Sequence, residues 1–216
     1  MSTAMIGLFL NAFWQTILMV SFACAGAVLL GVPLGVILLI TADNHLLPHP
    51  KLNKILGIIT NGLRSIPFII LMVAIIPLTR LIVGTSIGTA AATVPLLIAA
   101  TPFMARIVES ALQQVPGGLI EAAQSMGATP FQIIYKVLLP ESMPSLVRGI
   151  TLTLIALIGY SAMAGVIGGG GLGDLAVRYG YQRFNVAVML WTIVILILLV
   201  QFLQMVGDRI ARWLTH

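Results

Sequence analysis

The sequence predicts an all-α integral membrane protein with five transmembrane helices and a short cytosolic helix-turn-helix segment. Of its 216 residues, 59% are hydrophobic and 8% are charged, whereas a soluble domain carries about 25% charged residues. Five apolar runs reach the length of about 20 residues that a membrane-spanning helix needs. One turn-containing amphipathic segment, 119–139, interrupts this pattern. A chain so poor in charge cannot cover a surface that faces water.

The predicted spans together make one transmembrane domain that covers the whole chain, 1–216. The third span is rich in Ala and Thr and contains Pro95 and Pro102. In the first span, Gly31 and Gly35 have the four-residue spacing that lets two helix backbones approach closely. The spans cover about 14–40, 55–79, 87–111, 146–167 and 187–207, and a cytosolic loop covers about 112–145.

The positive-inside rule predicts the orientation of the five spans. With the N-terminus outside, eight of the eleven basic residues lie at or near the cytosol, and the C-terminus is cytosolic. The basic residues stand at the ends of apolar runs, so the net charge of +5 predicts topology and not a nucleic-acid partner. The predicted cytosolic group is Lys51, Lys54, Arg64, Arg106, Lys136, Arg148, Arg209 and Arg212, and the outer group is Arg80, Arg178 and Arg183.

The interrupting segment reads as two short helices joined by a tight turn. The first helix covers 119–126, and Gly127 follows where a helix often ends in the left-handed conformation. Thr129 is a good N-cap for the second helix, Pro130 suits its first position, and Gln132 completes the spacing of a capping box.

The second short helix is expected to present one apolar face and to end before the fourth span. We expect Pro140 and Pro144 to end it. An interfacial helix on the lipid surface is the alternative, but its polar faces hold only Glu121 and Lys136 rather than a basic band. A surface that binds a soluble partner protein is therefore favoured. The expected apolar face consists of Phe131, Ile134, Tyr135 and Leu138.

No catalytic or metal-binding set is expected. The run GGGGLG at 168–173 matches a dinucleotide fingerprint, but such a site needs a strand before it and a helix after it. The GLGD match to intramembrane aspartyl proteases needs a second carboxylate, yet Asp43 and Asp208 lie at the opposite, cytosolic ends. The single cysteine, Cys24, excludes an internal disulfide. The histidines, in polar connections or at the terminus, are His45, His49 and His216.

Two stretches contain candidate residues for a transport pathway. The stretch GYSAMAG, 159–165, lies in the later half of the fourth span and mixes flexible, polar and small side chains. Ordinary packing explains such a stretch, and so does a gate formed by a bulky, deformable side chain where two symmetry-related spans meet. The gate and pathway candidates are Met163, Tyr160, Ser161, Ser65, Pro67 and Phe68.

The absence of ionisable residues near the span centres bears on the energy source. Proton- or ion-coupled carriers usually keep such residues. Their absence favours an external energy source, and an ion-coupled secondary transporter or a channel without an ATPase remains the alternative.

A longer motif gives a resemblance. Residues 121–140 contain EAA, three residues, Gly127, nine residues and VLLP. This pattern resembles the EAA loop of ABC-type importer permeases, with Val137 where that family has Ile. The likeness extends over roughly 60–185 through the stretches RSIPFIIL, LIEAAQSMGATPFQII and LIGYSAMAGVIGGGGLGDLA. Within the family, these stretches resemble the permease subunits of bacterial methionine importers.

The resemblance implies a type I ABC importer permease in the bacterial inner membrane. Two copies would pair, and each would receive a cytosolic ATPase that uses ATP and Mg. An extracytoplasmic binding protein would deliver methionine or a close relative. The chain itself would bind no cofactor. The implied ATPase-coupling residues are Glu121, Ala122, Ala123 and Gly127, together with Thr129 and Pro130 of the same turn.

Overall fold

The computed structural model describes residues 3–43 and 45–215, so Asn44 and His216 lie outside the described residues. Throughout these ranges the regular structure is helical, with two π-helical turns, Ile134–Leu138 and Ala176–Tyr181. The helices are α1 Thr3–Ile40, α2 Pro50–Ser65, α3 Phe68–Ala74, α4 Ile76–Val83, α5 Thr89–Gln113, α6 Gly117–Ser125, α7 Pro130–Ile133, α8 Leu139–Val166, α9 Gly171–Leu175 and α10 Val186–Leu214.

Within residues 3–43 and 45–215, four helical stretches are long and apolar enough to cross a membrane, and a bent pair makes a fifth candidate. The four stretches are Met5–Ile40, Thr89–Gln113, Pro130–Val166 and Val186–Leu214. The first and last helices extend beyond the predicted spans, since α1 begins at Thr3 and α10 ends at Leu214.

The second predicted span, 55–79, is not one straight helix. The pair α2 and α3 bends by 102° at the break between Ser65 and Phe68. Ile66 there is extended, with φ −80° and ψ 123°, because the ring of Pro67 disfavours helical geometry in the residue before it. The chain then continues into α4, which ends at left-handed Gly84. The two prolines of this stretch therefore divide the predicted span into short helices.

The core is built on the close packing of α1 against α5. A Cβ placed on Gly31 would lie 2.8 Å from the Cβ of Met104, and one on Gly35 would lie 2.5 Å from the carbonyl oxygen of Ala105. Any larger side chain at either position would force the helices apart. The close approach predicted from the glycine spacing is confirmed.

The second short helix and the fourth span form one continuous helical stretch, Pro130–Val166. The prediction that Pro140 and Pro144 end the short helix is wrong. A proline removes one intrahelical hydrogen bond and usually kinks a helix, and a π turn changes the hydrogen-bond register locally. Here Pro140 is the second residue after the π turn, and Pro144 lies inside α8.

Candidate coupling segment and translocation cavity

The candidate coupling segment, residues 117–138, begins with α6 and turns sharply at Gly127. Gly127 has φ +79°, a left-handed conformation that costs little only for glycine. The Gly127 N–H donates to the Gln124 carbonyl at 2.9 Å, and the Ala128 N–H donates to the Ala123 carbonyl at 3.0 Å. These bonds satisfy carbonyls that the helix end would leave unpaired. The predicted glycine turn is confirmed.

Thr129 and Gln132 start the second helix by a reciprocal pair of hydrogen bonds. The Gln132 N–H donates to Thr129 Oγ1 at 3.3 Å, and the Thr129 N–H donates to Gln132 Oε1 at 2.9 Å. Pro130 occupies the first helical turn, where its missing N–H costs nothing. The predicted capping box is therefore present, and it fixes the direction in which the chain leaves the turn.

The π turn determines which side of the second helix is buried. Ile133 and Leu138 are 1% and 0% exposed, five residues apart, as a π turn requires of two residues on one side. Phe131 and Tyr135 are instead 75% and 66% exposed. The apolar face predicted at α-helical spacing is therefore wrong at Phe131 and Tyr135, because the π turn shifts the register, whereas Leu138 is buried and Ile134 packs against the core as that face requires.

The outer surface of the coupling segment is uncovered in the single chain. Helix α6 has no buried residue, and Glu121 and Ala122 are exposed while Ala123 is half-buried. Met126, beside the turn, is 86% exposed. An apolar groove with a volume of about 610 Å³ lies between α6 and the π turn, and Leu119 and Val137 contribute to its wall. Contiguous exposed apolar surface of this kind marks an interaction site.

A cavity of about 450 Å³ lies between α2, α3, α5 and α8. It brings together three of the predicted pathway residues, Ser65, Phe68 and Tyr160. The rings of Phe68 and Tyr160 stack at 4.8 Å between centroids and 11° between planes. Ser65 Oγ donates to the Asn61 carbonyl at 2.9 Å.

The other predicted pathway residues do not line this cavity. Pro67 is exposed at the break between α2 and α3. Ser161 is buried, and its hydroxyl donates to the Ile158 carbonyl at 2.8 Å, so it bonds within its own helix. Met163 is 46% exposed on α8. It stands three residues from Tyr160, so the two side chains share one face of α8.

The glycine segment, residues 165–181, folds back into the protein at the C-terminal end of α8. Gly168, Gly170 and Gly171 have positive φ, and every residue of α9 is buried. The Gly171 N–H donates to Gln15 Oε1 at 2.8 Å, and the Leu172 N–H donates to Thr16 Oγ1 at 2.9 Å. The sequence predicted a flexible or tightly turned loop, and the tight turn is what forms.

Two features of the sites were missed from the sequence. Asp174 is 5% exposed and pairs with Arg178, so the glycine segment contains an internal ion pair. Arg64 lines the cavity, with its Cζ 5.9 Å from the centroid of the Phe103 ring. An arginine directly beside an apolar run was the available signal. The described residues contain no cluster of side chains that could hold a metal ion.

The protein family of this chain follows from comparison with family models. A model of the family described as "Binding-protein-dependent transport system inner membrane component" matches residues 27–216. The chain belongs to this family. It is a multi-pass inner-membrane protein, and the family resemblance inferred from the EAA motif is confirmed.

Relatives of this transport-family chain are named as methionine permeases. The "Probable D-methionine transport system permease protein MetI" of Vibrio cholerae serotype O1 is 57% identical over 209 residues, with 97% of this chain and 93% of the relative covered. The "D-methionine transport system permease protein MetI" of Escherichia coli strain K12 is 51% identical over 165 residues, with 76% of each covered.

Solved structures place the fold in the same class. The native CY5 crystal form of the inward-facing MetNI methionine ABC transporter contains a chain with TM-score 0.98 and 49% identity, and each chain is covered completely. A crystal structure of an amino acid ABC transporter with histidines matches with TM-score 0.79 at 18% identity, covering 97% of this chain and 95% of the other, and shows the fold alone. The predicted all-α permease fold is confirmed.

Proposed function

We propose that this chain is the permease subunit of an ATP-driven importer that moves methionine across the bacterial inner membrane. The observation that carries the proposal is the exposed, glycine-turned coupling segment, which runs without a break into a membrane-spanning helix. A surface outside the membrane joined to a span is what a transporter driven by a separate ATPase needs. The methionine permeases among the relatives and the MetNI structure support methionine as the substrate.

The proposed assembly has two permease copies, cytosolic ATPase subunits and an extracytoplasmic binding protein. ATP and Mg belong to the ATPase, and the permease binds no cofactor and catalyses no reaction. The N-terminus lies outside and the C-terminus in the cytosol, because this orientation keeps most basic residues on the cytosolic side. The coupling segment then faces the ATPase, and the glycine segment faces the binding protein.

The coupling step is mechanical. The ATPase holds α6 through Glu121, Ala122 and Ala123, and the small side chains of the two alanines allow close contact. Gly127 sets the angle between α6 and the second helix. Thr129 and Pro130 fix the start of that helix. When the ATPases close, the displacement passes along Pro130–Val166 because this stretch is one helix.

The proposed gate lies on the face of α8 that carries Tyr160 and Met163. Met163 is exposed in the single chain and has a flexible side chain that fills irregular gaps. In a pair of permeases, this face meets its symmetry-related copy and closes the pathway. The stacked rings of Phe68 and Tyr160 tie the broken second span to the gate helix. Ser65, Pro67 and Ser161 remain proposed pathway residues by their position beside these groups.

Reconstitution tests the function. Proteoliposomes would contain the permease and its ATPase, and labelled methionine, leucine and histidine would be supplied with and without ATP and the binding protein. We expect uptake of methionine that depends on both. Uptake at an equal rate without the ATPase would contradict the proposal and support an ion-coupled carrier or a channel.

A further inference from the structure

Arg64 occupies an unusual place at the end of α2, just before the 102° bend into α3. Its guanidinium lies over the Phe103 ring, 5.9 Å from the centroid, at the wall of the 450 Å³ cavity. The residues that line this cavity include no Asp or Glu. The cavity therefore carries one positive charge and no compensating carboxylate of its own.

The neighbouring Arg106, unlike Arg64, has an acidic partner within the protein. Its Nη1 donates to Glu109 Oε2 at 2.6 Å, and its Nη2 donates to the Gly57 carbonyl at 3.2 Å. Across the described residues, the ion pairs are Arg106–Glu109 and Asp174–Arg178. Arg64 takes part in neither of them, so its donors are available to a ligand.

We propose that this cavity binds the transported amino acid, with Arg64 as the residue that binds its carboxylate. The proposal rests on the proposed function and assigns its substrate a site within the permease. A planar guanidinium binds a carboxylate through two parallel hydrogen bonds.

The rest of the cavity wall combines polar side chains with aromatic and aliphatic ones. Phe68, Phe103 and Tyr160 contribute aromatic surface, and Ile66 contributes aliphatic surface. A thioether sulfur makes favourable contacts with aromatic rings. The volume of about 450 Å³ falls within the range of about 300–1,000 Å³ that is typical of small-molecule pockets.

The charge of the cavity also predicts what it rejects. An α-amino acid amide has lost its carboxylate and retains a positive ammonium group, so it is repelled by Arg64. The site therefore favours an amino acid with a free carboxylate over its amide. Methionine and methioninamide differ in this one group and form a matched pair of ligands.

A thiol placed in the cavity provides the test. The single native cysteine, Cys24, is buried, whereas Ser65 is exposed beside Arg64, so Ser65→Cys introduces an accessible thiol. The complex of this variant with its ATPase is treated with a thiol reagent, without binding protein. We expect methionine to protect the thiol at a concentration at least about tenfold lower than methioninamide needs. Thr85→Cys, exposed in the connection between α4 and α5, should not be protected.

Substitution of Arg64 completes the test. Adding Arg64→Gln to the Ser65→Cys variant should raise the protecting methionine concentration by about tenfold to a hundredfold, since a charge-assisted hydrogen bond is lost. Arg209→Gln removes another exposed arginine, on α10, and should change nothing. Equal protection by methionine and methioninamide, unchanged protection in the Arg64→Gln variant, or no protection by methionine would overturn this site. Each of these results leaves ATP-driven methionine uptake by the unsubstituted complex intact, and loss of that uptake is what would count against the proposed function.

Discussion

Helix α8 has a glycine-containing segment at each end, and the two segments are held in opposite ways. The coupling segment makes its turn at Gly127, where a Cβ would meet no atom within 4 Å. In the glycine segment, a Cβ on Gly173 would lie 2.4 Å from the Cα of Ala162. The first glycine is required by backbone conformation and the second by close packing.

The coupling segment and the glycine segment also differ in how deeply their short helices, α6 and α9, are buried. Helix α6 has no buried residue, whereas all five residues of α9 are buried. Two of them, Gly171 and Leu172, donate hydrogen bonds to Gln15 and Thr16 of α1. The segment after α8 is thus fixed in the core, whereas α6, which precedes the second short helix, is presented outside it. A displacement of α6 can therefore be transmitted through the second short helix into α8.

The largest loss of stability should come from adding a methyl group to the closely packed Gly173 of the glycine segment. Gly173→Ala should lower the free energy of unfolding by about 3 kcal/mol, because the clash is with backbone atoms of Ala162 that cannot move aside. Thermal unfolding of the purified permease measures this. The same change at Gly7, where a Cβ meets nothing within 4 Å, is the control and should be neutral or slightly stabilising. Equal effects at the two sites would contradict the packing argument.

The hydrogen bond that anchors the glycine segment should give the next largest effect. Thr16→Val keeps the shape of the side chain but leaves the buried Leu172 N–H without its acceptor. We expect a loss of about 1–3 kcal/mol of stability. Thr16→Ser retains the hydroxyl and should recover most of it. If the valine variant is as stable as the serine variant, this anchor contributes nothing.

Changes at Gly127 should affect coupling more than global stability. Gly127→Ala places a Cβ at φ +79°, which costs about 1–2 kcal/mol locally without any steric contact. Transport per ATP hydrolysed in the reconstituted complex should fall, while the melting temperature of the permease changes little. Gly127→Asn should be milder, because asparagine tolerates this conformation. A fall in melting temperature as large as that of Gly173→Ala would show that the two segments are not held differently.

The smallest effect is expected at the cap of the second short helix. Thr129→Val removes the acceptor for the Gln132 N–H and should destabilise the turn by about 1 kcal/mol. Hydrogen exchange of the amides at 131–133 reports this local change, and Thr129→Ser should restore their protection. Exchange that rises equally across α9 would mean that the effect is not confined to the coupling segment.

The sequence predicted the coupling segment well because its structure depends on local interactions. The turn at Gly127 and the cap formed by Thr129 and Gln132 involve residues within a few positions of each other. The π turn was not predicted, because its register follows from the burial of Ile133 and Leu138 against the core.

The glycine segment and the cavity were harder to predict because they depend on long-range contacts. Gln15 and Gly171 are 156 positions apart in the chain, and no local pattern indicates that they meet. The cavity likewise forms only because the break at Pro67 brings Phe68 onto Tyr160. Ser161 was chosen as a candidate because it is next to Tyr160 in the sequence, but in the structure it does not line the cavity.

The most direct measurement concerns the continuity of the helix between the coupling segment and α8. Tyr135 and Lys136 are exposed positions of the π turn, so both can be replaced without opening the core. Replacing both with glycine should make the connection flexible, since glycine destabilises a helix by about 1 kcal/mol per residue relative to alanine. Replacing both with alanine removes the same side chains and keeps the helix. We expect the methionine moved per ATP hydrolysed to fall severalfold in the double-glycine complex and to stay near the unsubstituted value in the double-alanine complex. Equal ratios in the two complexes would contradict transmission through a continuous helix.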